Sequence, residues 1–364
     1  MTLTMASDLA IQRSATRSRV GIAIVNYRTA ELTIDCLRSL APEMASIPGS
    51  RVVVVDNASG DGSAERIGAA IEQENWEWAA VLPQQVNGGF AFGNNAAIRE
   101  LMTADSPQDY VMLLNPDTVV RPGAVRTLAQ FMDARPDVGI AGSVLEDARG
   151  EVQPSAFRFH NVLSELEAGA DFGPLSRLLS RRRVVTAFKA EPHECEWVSG
   201  ASMIVRREVL EVVGPFDEGY FLYFEEADLC RRCRAAGWSV WTVPASRVVH
   251  LEGAATGISV ARKRRMPAWF VSRRRFFVKH YGAAALIAAD ALWAVGRFTL
   301  AIRKILHLAR RRPGGPKRFA VDLLWGDARA LSNGSAFRAM AAAKPPQPEN
   351  ELQRAEASNA GNAS

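Results

Sequence analysis

Cysteine is scarce in this chain: four in 364 residues (Cys36, Cys195, Cys230 and Cys233), too few for a disulfide framework. The N-terminal stretch lacks the continuous apolar core of a secretory signal, so a reducing, cytoplasmic setting is expected. Cys230 and Cys233 form a single CxxC. The second pair that a structural zinc site would need is missing, and the helical pattern around them favours buried structural thiols. No GxxxxGK[ST] loop occurs, and no GxGxxG follows a strand, which disfavours a P-loop and a dinucleotide fingerprint. Acidic charge nearly vanishes between Arg262 and Arg318, where Asp290 alone stands against sixteen Lys or Arg. With a formal net charge of only +5 for the whole chain, the positive charge is concentrated in the last third. Such a block suits anionic lipid headgroups or a diphosphate-bearing substrate as well as nucleic acid. Nucleic-acid recognition motifs are absent, so no nucleic-acid partner is expected.

What is present is a core-forming composition, 48% hydrophobic, in a recurring order of strand and helix. Apolar runs at Val20 to Val25, Arg51 to Val55, Ala79 to Leu82 and Tyr110 to Leu114 read as buried strands. Helical spacing covers Ala30 to Leu40, Ser63 to Gln73 and Asn94 to Met102 between them. That alternation predicts an α/β layered domain with a mostly parallel central sheet, whose ligands gather beyond the carboxyl ends of the strands. The expected organisation is a loose tail over 1–18, a domain over 19–260, a basic helical extension over 261–333 and a disordered tail over 334–364. Within the domain, 19–145 would bind nucleotide and 146–260 would carry acceptor and catalytic groups. Further helices are predicted near Arg207 to Val213 and from Glu226 to Ala236, and an exposed excursion from Phe157 to Glu191. In the extension, Tyr281 to Arg312 reads as one amphipathic helix striped by Asp290, Arg297, Lys304 and Arg311. Charges interrupt its apolar stretch, so lying at a membrane interface fits it better than spanning; packing on the domain is the other reading.

The residues able to carry chemistry stand at strand ends. Asp56 and Asn57 follow a run of four valines; the carboxylate could accept the imide N–H of a pyrimidine base or cap its own turn. Asn87-Gly88-Gly89-Phe90-Ala91-Phe92-Gly93-Asn94-Asn95 combines glycines that allow close backbone approach with amides suited to sugar hydroxyls. Asn115-Pro116-Asp117 ends an apolar strand with a carboxylate that must meet solvent or a cation, either capping the turn or helping to hold Mg²⁺ or Mn²⁺ with substrate phosphate oxygens. Glu225, Glu226 and Asp228 crowd three carboxylates behind an aromatic cluster. That crowding raises at least one pKa toward a general base, or else places charge at a helix N-terminus. His250, closing another apolar run, is either structural or a partner of Asp117 at a metal.

Taken in order, Ile24-Val-Asn26-Tyr27, Val55-Asp56-Asn57-Ala-Ser59, the Asn87 to Asn95 segment, Asn115-Pro-Asp117, Val198-Ser-Gly200-Ala201-Ser-Met203, Phe224-Glu-Glu226-Ala-Asp228-Leu-Cys-Arg231 and Val249-His250 resemble the family 2 glycosyltransferases, and within them the rhamnosyltransferase-type branch. The resemblance covers Val20 to Gly257 and implies a GT-A fold. By it, Asn26, Asp56 and Asn57 hold the nucleotide, Asn87 to Asn95 hold nucleotide and donor sugar, Asp117 and His250 hold a divalent cation, and Glu226 is the base. Tyr27, Ser59, Gly88, Gly89, Asn94, Asn115, Gly200 and Ala201 complete the expected substrate contacts, with Glu225 and Asp228 as neighbouring catalytic carboxylates. Two positions depart from the family pattern: Glu-Glu replaces the commoner Glu-Asp, and Asn-Pro-Asp replaces Asp-x-Asp. The implied reaction is inverting transfer, with dTDP-L-rhamnose as donor and a polyprenyl-diphosphate-linked saccharide or cell-surface polysaccharide as acceptor, at an anionic membrane surface on the cytoplasmic side. Another UDP- or dTDP-sugar, or a nucleotide-sugar-binding module without chemistry, are the alternatives.

Overall fold

The computed structural model describes residues 18–103, 107–251, 264–308 and 316–333. The expected tails, and Arg311 of the helical stripe, fall outside this set apart from Ser18.

Chain order alternates as the apolar runs dictate: β1 (Val20–Asn26), α1 (Ala30–Ser46), β2 (Arg51–Asp56), α2 (Ser63–Gln73), β3 (Ala79–Pro83), α3 (Gly89–Thr103) and β4 (Tyr110–Leu114). These strands pair in parallel in the order β3-β2-β1-β4. Alternate residues serve opposite faces. Val20, Ile22 and Ile24 of β1 pack with Leu37 and Leu40 of α1 on one side, while Ala23 packs with Ile98 and Leu101 of α3 on the other. Burial on both faces explains why these strands are continuously apolar. Helix α1 runs past its expected end at Leu40 and through Pro42, because Leu40 and Met44 are both buried in the core and outweigh one lost backbone hydrogen bond.

The second half extends the sheet with mixed pairing. It comprises β5 (Thr118–Val120), α4 (Ala124–Asp133), β6 (Val138–Glu146), β7 (Val152–Gln153), β8 (Ala156–Phe157), α5 (Val162–Ala170), α6 (Gly173–Leu178), β9 (His193–Glu194), β10 (Trp197–Val198), β11 (Ser202–Arg206), α7 (Arg207–Val213), α8 (Glu225–Ala235) and β12 (Ser239–His250). Among the described residues the sheet has ten strands and continues β4-β11-β6-β12-β5, with β11 antiparallel to both β4 and β6. That reversal brings the start of β11 to the carboxyl end of β4. The four cysteines are buried and unpaired, and burial pushes the thiols of Cys36, Cys195 and Cys233 up to about 12. They serve as core residues.

The C-terminal helices correct one expectation. In place of one helix from Tyr281 to Arg312 there are α9 (Pro267–Tyr281) and α10 (Ala283–Ile305), broken at Gly282 with φ +84°, and then α11 (Phe319–Ser332). Asp290 is not on a solvated stripe. It accepts from Arg273 Nη1 at 2.9 Å, and the same fully buried guanidinium also binds Glu165 at 3.0 Å and Asp327 at 3.1 Å, tying α5, α9, α10 and α11 together. Backbones close in beside this knot. A methyl at Gly169 would lie 2.4 Å from the Trp293 carbonyl, and one at Gly296 would lie 2.6 Å from the Ala170 nitrogen. So one face of α10 packs on the domain. By length and composition α10 is apolar enough to cross a membrane, and it keeps Ile287, Val295, Phe298 and Ile305 exposed.

Candidate active site

Strand register assembles the site. Asn26 stands opposite Asp56 at the ends of β1 and β2. Ser202 pairs with Leu114, so Gly200 and Ala201 arrive beside Asn115, whose N–H donates to the Ala201 carbonyl at 3.1 Å. His250 pairs with Thr118, and the following N–H of Leu251 donates to the Asp117 carbonyl at 2.9 Å. These ends bound a cleft of about 630 Å³. Of the residues expected from sequence, Tyr27, Asn57, Asn87, Gly89, Asn115, Asp117, Gly200, Ala201, Glu225, Glu226 and His250 line it.

Asn26, Asp56 and Ser59 stand behind its wall. Asp56 Oδ1 accepts from Asn26 Nδ2 and from Ser59 Oγ, both at 2.6 Å, and Oδ2 accepts the Ser59 N–H at 3.1 Å. In this arrangement Asp56 caps its own turn, the local role open to any Asx residue there. Asn57 Nδ2 donates to Asn87 Oδ1 and the Gly89 carbonyl, each at 3.0 Å, locking the two amide loops together. Gly89, at φ +90°, admits the Phe221 carbonyl to a place a Cβ would overlap at 2.1 Å. Gly88 and Asn94 do not line the cleft: Gly88 packs under Phe92, and Asn94 Nδ2 donates to the Phe90 carbonyl at 2.9 Å inside α3.

The acidic motif divides. Tyr223 and Phe224 both hold positive φ, 73° and 68°, a conformation costing non-glycine residues roughly 1–2 kcal/mol each. Phe224 is held there by Phe276 at 5.6 Å and Trp269 at 5.9 Å between ring centres. This strained turn aims Glu225 and Glu226 at the cleft, each with a shielded Oε2 that lacks a hydrogen-bond partner. Burial pushes Glu226 up to about 7 against the pull of the backbone N–H groups of Glu226 and Gly200. Burial, with the Glu226 charge beside it, holds Glu225 well above the carboxylate range. Asp228 is a correction: it points away and is fully buried between Arg232 at 2.8 Å, Lys279 at 2.7 Å and His280 at 2.8 Å. Burial raises its pKa, but those partners outweigh burial and hold the carboxyl far below its ordinary value, which makes it a poor proton acceptor.

Across the cleft, Asp117 Oδ1 is buried without a hydrogen-bond partner, 3.4 Å from His250 Nε2, which in turn lies 3.3 Å from Asn115 Nδ2. Among the described residues no group of three or more His, Cys, Asp or Glu is arranged to hold a metal ion by itself. One carboxylate and one imidazole therefore meet with room for donors from a ligand. Phe90 lies inside the Asn87 to Asn95 segment and Ser199 inside the Val198 to Met203 motif picked out from sequence, whereas Phe221, Leu222 and Met266 on the cleft wall were given no role. Phe221 and Leu222 adjoin the acidic motif and were findable; Met266 arrives from the C-terminal chain with no local signal.

The chain matches the family described as "Glycosyltransferase like family 2" over residues 17–269. Among curated proteins, N-acetylglucosaminyl-diphospho-decaprenol L-rhamnosyltransferase of Mycobacterium tuberculosis is 31% identical over 217 residues, 57% of this chain and 68% of that protein. Rhamnosyltransferase WbbL of Escherichia coli is 26% identical over 164 residues, 44% of this chain and 60% of that protein. Among solved structures, the mannosyltransferase PcManGT of Pyrobaculum calidifontis, in complex with GDP-Man and Mn²⁺, superposes with a TM-score of 0.50 at 19% identity, covering 93% of this chain and 91% of that one. Strand order, cleft and family match agree: this chain belongs to the family 2 glycosyltransferases, an enzyme of the GT-A fold.

Proposed function

We propose that this enzyme moves L-rhamnose from dTDP-L-rhamnose, with inversion, to a hydroxyl of a polyprenyl-diphosphate-linked saccharide or a growing cell-surface polysaccharide. The observation that carries the reading is Glu226: a shielded carboxyl, raised to about 7, in the same cleft as Asp117 and His250. In this reading Glu226 removes the proton of an acceptor hydroxyl as that oxygen attacks the anomeric carbon from the face opposite the departing diphosphate. Glu225, whose carboxyl burial pushes well above the ordinary carboxylate range, stands beside Glu226 on the cleft wall, within the acceptor's side of the site. Asn57, Asn87 and Gly89 hold the nucleotide side, with 19–145 as the nucleotide part and 146–260 as the acceptor part. Asp117 and His250 fit a divalent cation, Mg²⁺ or Mn²⁺, because an unpartnered buried carboxylate oxygen faces an imidazole and phosphate oxygens can complete the shell. Such a cation would supply charge stabilisation to the leaving diphosphate. The donor is suggested by the relatives, two of which are named rhamnosyltransferases.

Incubation with a panel of nucleotide sugars and a lipid-linked N-acetylglucosamine tests the reading. Transfer from dTDP-L-rhamnose with inverted anomeric configuration is expected; preference for another donor, or retention, defeats it. Asp117→Ala is expected to remove the dependence on added Mn²⁺ and to weaken binding of dTDP in titrations. Unchanged dTDP affinity in the presence of Mn²⁺ would take Asp117 out of the site.

We also place the enzyme at the inner face of a membrane. The exposed apolar residues of α10, with Val321 and Trp325 of α11, lie among Arg297, Lys304 and Arg318, a combination suited to an anionic interface. Sedimentation with vesicles rich in phosphatidylglycerol is expected, and Phe298→Glu with Trp325→Glu should release the protein. Equal sedimentation of both forms would refute this placement.

A further inference from the structure

The basic block at the start of the C-terminal helices is almost entirely neutralised from within. Arg264 pairs with Asp322 on α11, Arg273 with three carboxylates, Arg274 with Asp327, and Arg275 and Lys279 with Asp217. Among the described residues of this block, up to Lys279, Arg265 is the exception. Among the described residues it makes no hydrogen bond or ion pair, and its Nε is shielded from solvent without a partner. Its guanidinium stands 4.9 Å over the Trp269 ring, and burial lowers its pKa, with Tyr223 of the cleft wall the group that opposes this. A half-buried cation without a counter-charge is costly. A guanidinium already oriented on an aromatic face is well suited to an anion that arrives from outside.

We propose that Arg265 is a phosphate-binding residue of the acceptor site, gripping the diphosphate of the lipid-linked substrate where it leaves the cleft. This rests on the lipid-linked acceptor read above. Forked N–H donors match phosphate oxygens, and the first turn of α9, opening at Pro267 directly after, adds its positive end. Position favours the acceptor's diphosphate over the donor's. The donor's diphosphate belongs at Asp117 and His250 on the sheet edge, whereas Arg265 comes from the C-terminal chain. It lies between Met266, which lines the cleft, and Arg264, which is bound to α11 with its exposed Val321 and Trp325. Sugar in the cleft, diphosphate at its mouth and polyprenyl chain along an apolar face is the order that the substrate itself imposes.

Kinetics of Arg265→Gln test this, with N-acetylglucosamine joined through a diphosphate to a short polyprenyl chain as acceptor and a sugar-free polyprenyl diphosphate as inhibitor. The acceptor KM and the inhibition constant should both rise about 10- to 100-fold, the range for one lost charge-assisted bond. Affinity for dTDP should stay within twofold. Arg265→Lys, which keeps the charge but not the fork, should fall between, and its thermal midpoint reports on folding. A fall in dTDP affinity with the acceptor KM unmoved would assign Arg265 to the donor and overturn the proposal, as would no change in either or equal loss of both. If the wild-type enzyme turns over no polyprenyl-diphosphate acceptor, the acceptor reading itself has failed and this assignment falls with it.

Discussion

Glu226→Gln is expected to lower kcat by about 10²- to 10⁴-fold, the usual contribution of a positioned general base. The amide keeps the size and one hydrogen-bonding oxygen but cannot take a proton, so dTDP affinity should stay near wild type while turnover collapses. The pH profile carries the same information independently. Burial raises the Glu226 carboxyl to about 7, and only the ionised form works as a base. Transfer should therefore fall tenfold per pH unit below about 7 and level off above it, with that limb absent in the Gln variant. Burial and the neighbouring Glu226 charge also push the Glu225 carboxyl well above the ordinary carboxylate range. Wild-type turnover in Glu226→Gln would remove this residue from the chemistry.

Arg273→Met is expected to cost about 3–5 kcal/mol of stability, the range for removing one partner from a buried ionic cluster. Glu165, Asp290 and Asp327 would lose their common cation in a place water does not reach. In the native protein burial raises the Glu165 pKa, yet Arg273 and His160 outweigh it and hold the carboxyl below its ordinary value. Without Arg273 the Glu165 carboxyl would have a folded pKa above its unfolded one, and Asp290, already raised to about 7 by burial, would go higher, while Asp327 keeps Arg274. The variant's deficit should then be greatest at pH 8 and shrink toward pH 5, as protonation removes the buried charge. Denaturant titrations at the two pH values measure this. A deficit under 1 kcal/mol, or one that grows on acidification, would show that the cluster does not anchor α9, α10 and α11.

Much of the first half was legible because its strands are buried on both faces. Continuous valine and isoleucine runs leave no alternative placement, and Ser63 to Gln73 matched α2 at both ends. Helix α3 began five residues before its expected Asn94, because Gly89 and Phe90 are poor helix signals whose conformation is set by the Phe221 carbonyl, distant in sequence. Asp290 misled for a related reason. At seven-residue spacing with Arg297 and Lys304 it looks like a solvated stripe, and only the buried Arg273 brought in by α9 turns that position inward.

Asp56, Asp117, Glu226 and His250 stood out in the sequence as candidates because each follows or precedes an apolar run that forces its charge to an edge, and of these Asp117, Glu226 and His250 line the cleft. Which of them share one space was decided by pairing. The antiparallel β11 delivers Gly200 beside Asn115, and β12 against β5 delivers His250 to Asp117. The split among the three neighbouring carboxylates was settled later still. Glu226 faces a cleft without counter-charge while Asp228, two residues on, faces Arg232, Lys279 and His280. Local sequence determines which groups reach the sheet's rim, since an unpaired charge cannot enter the core. Proton affinity depends on neighbours distant in sequence, such as His280, 52 residues beyond Asp228, and those only the folded chain assembles.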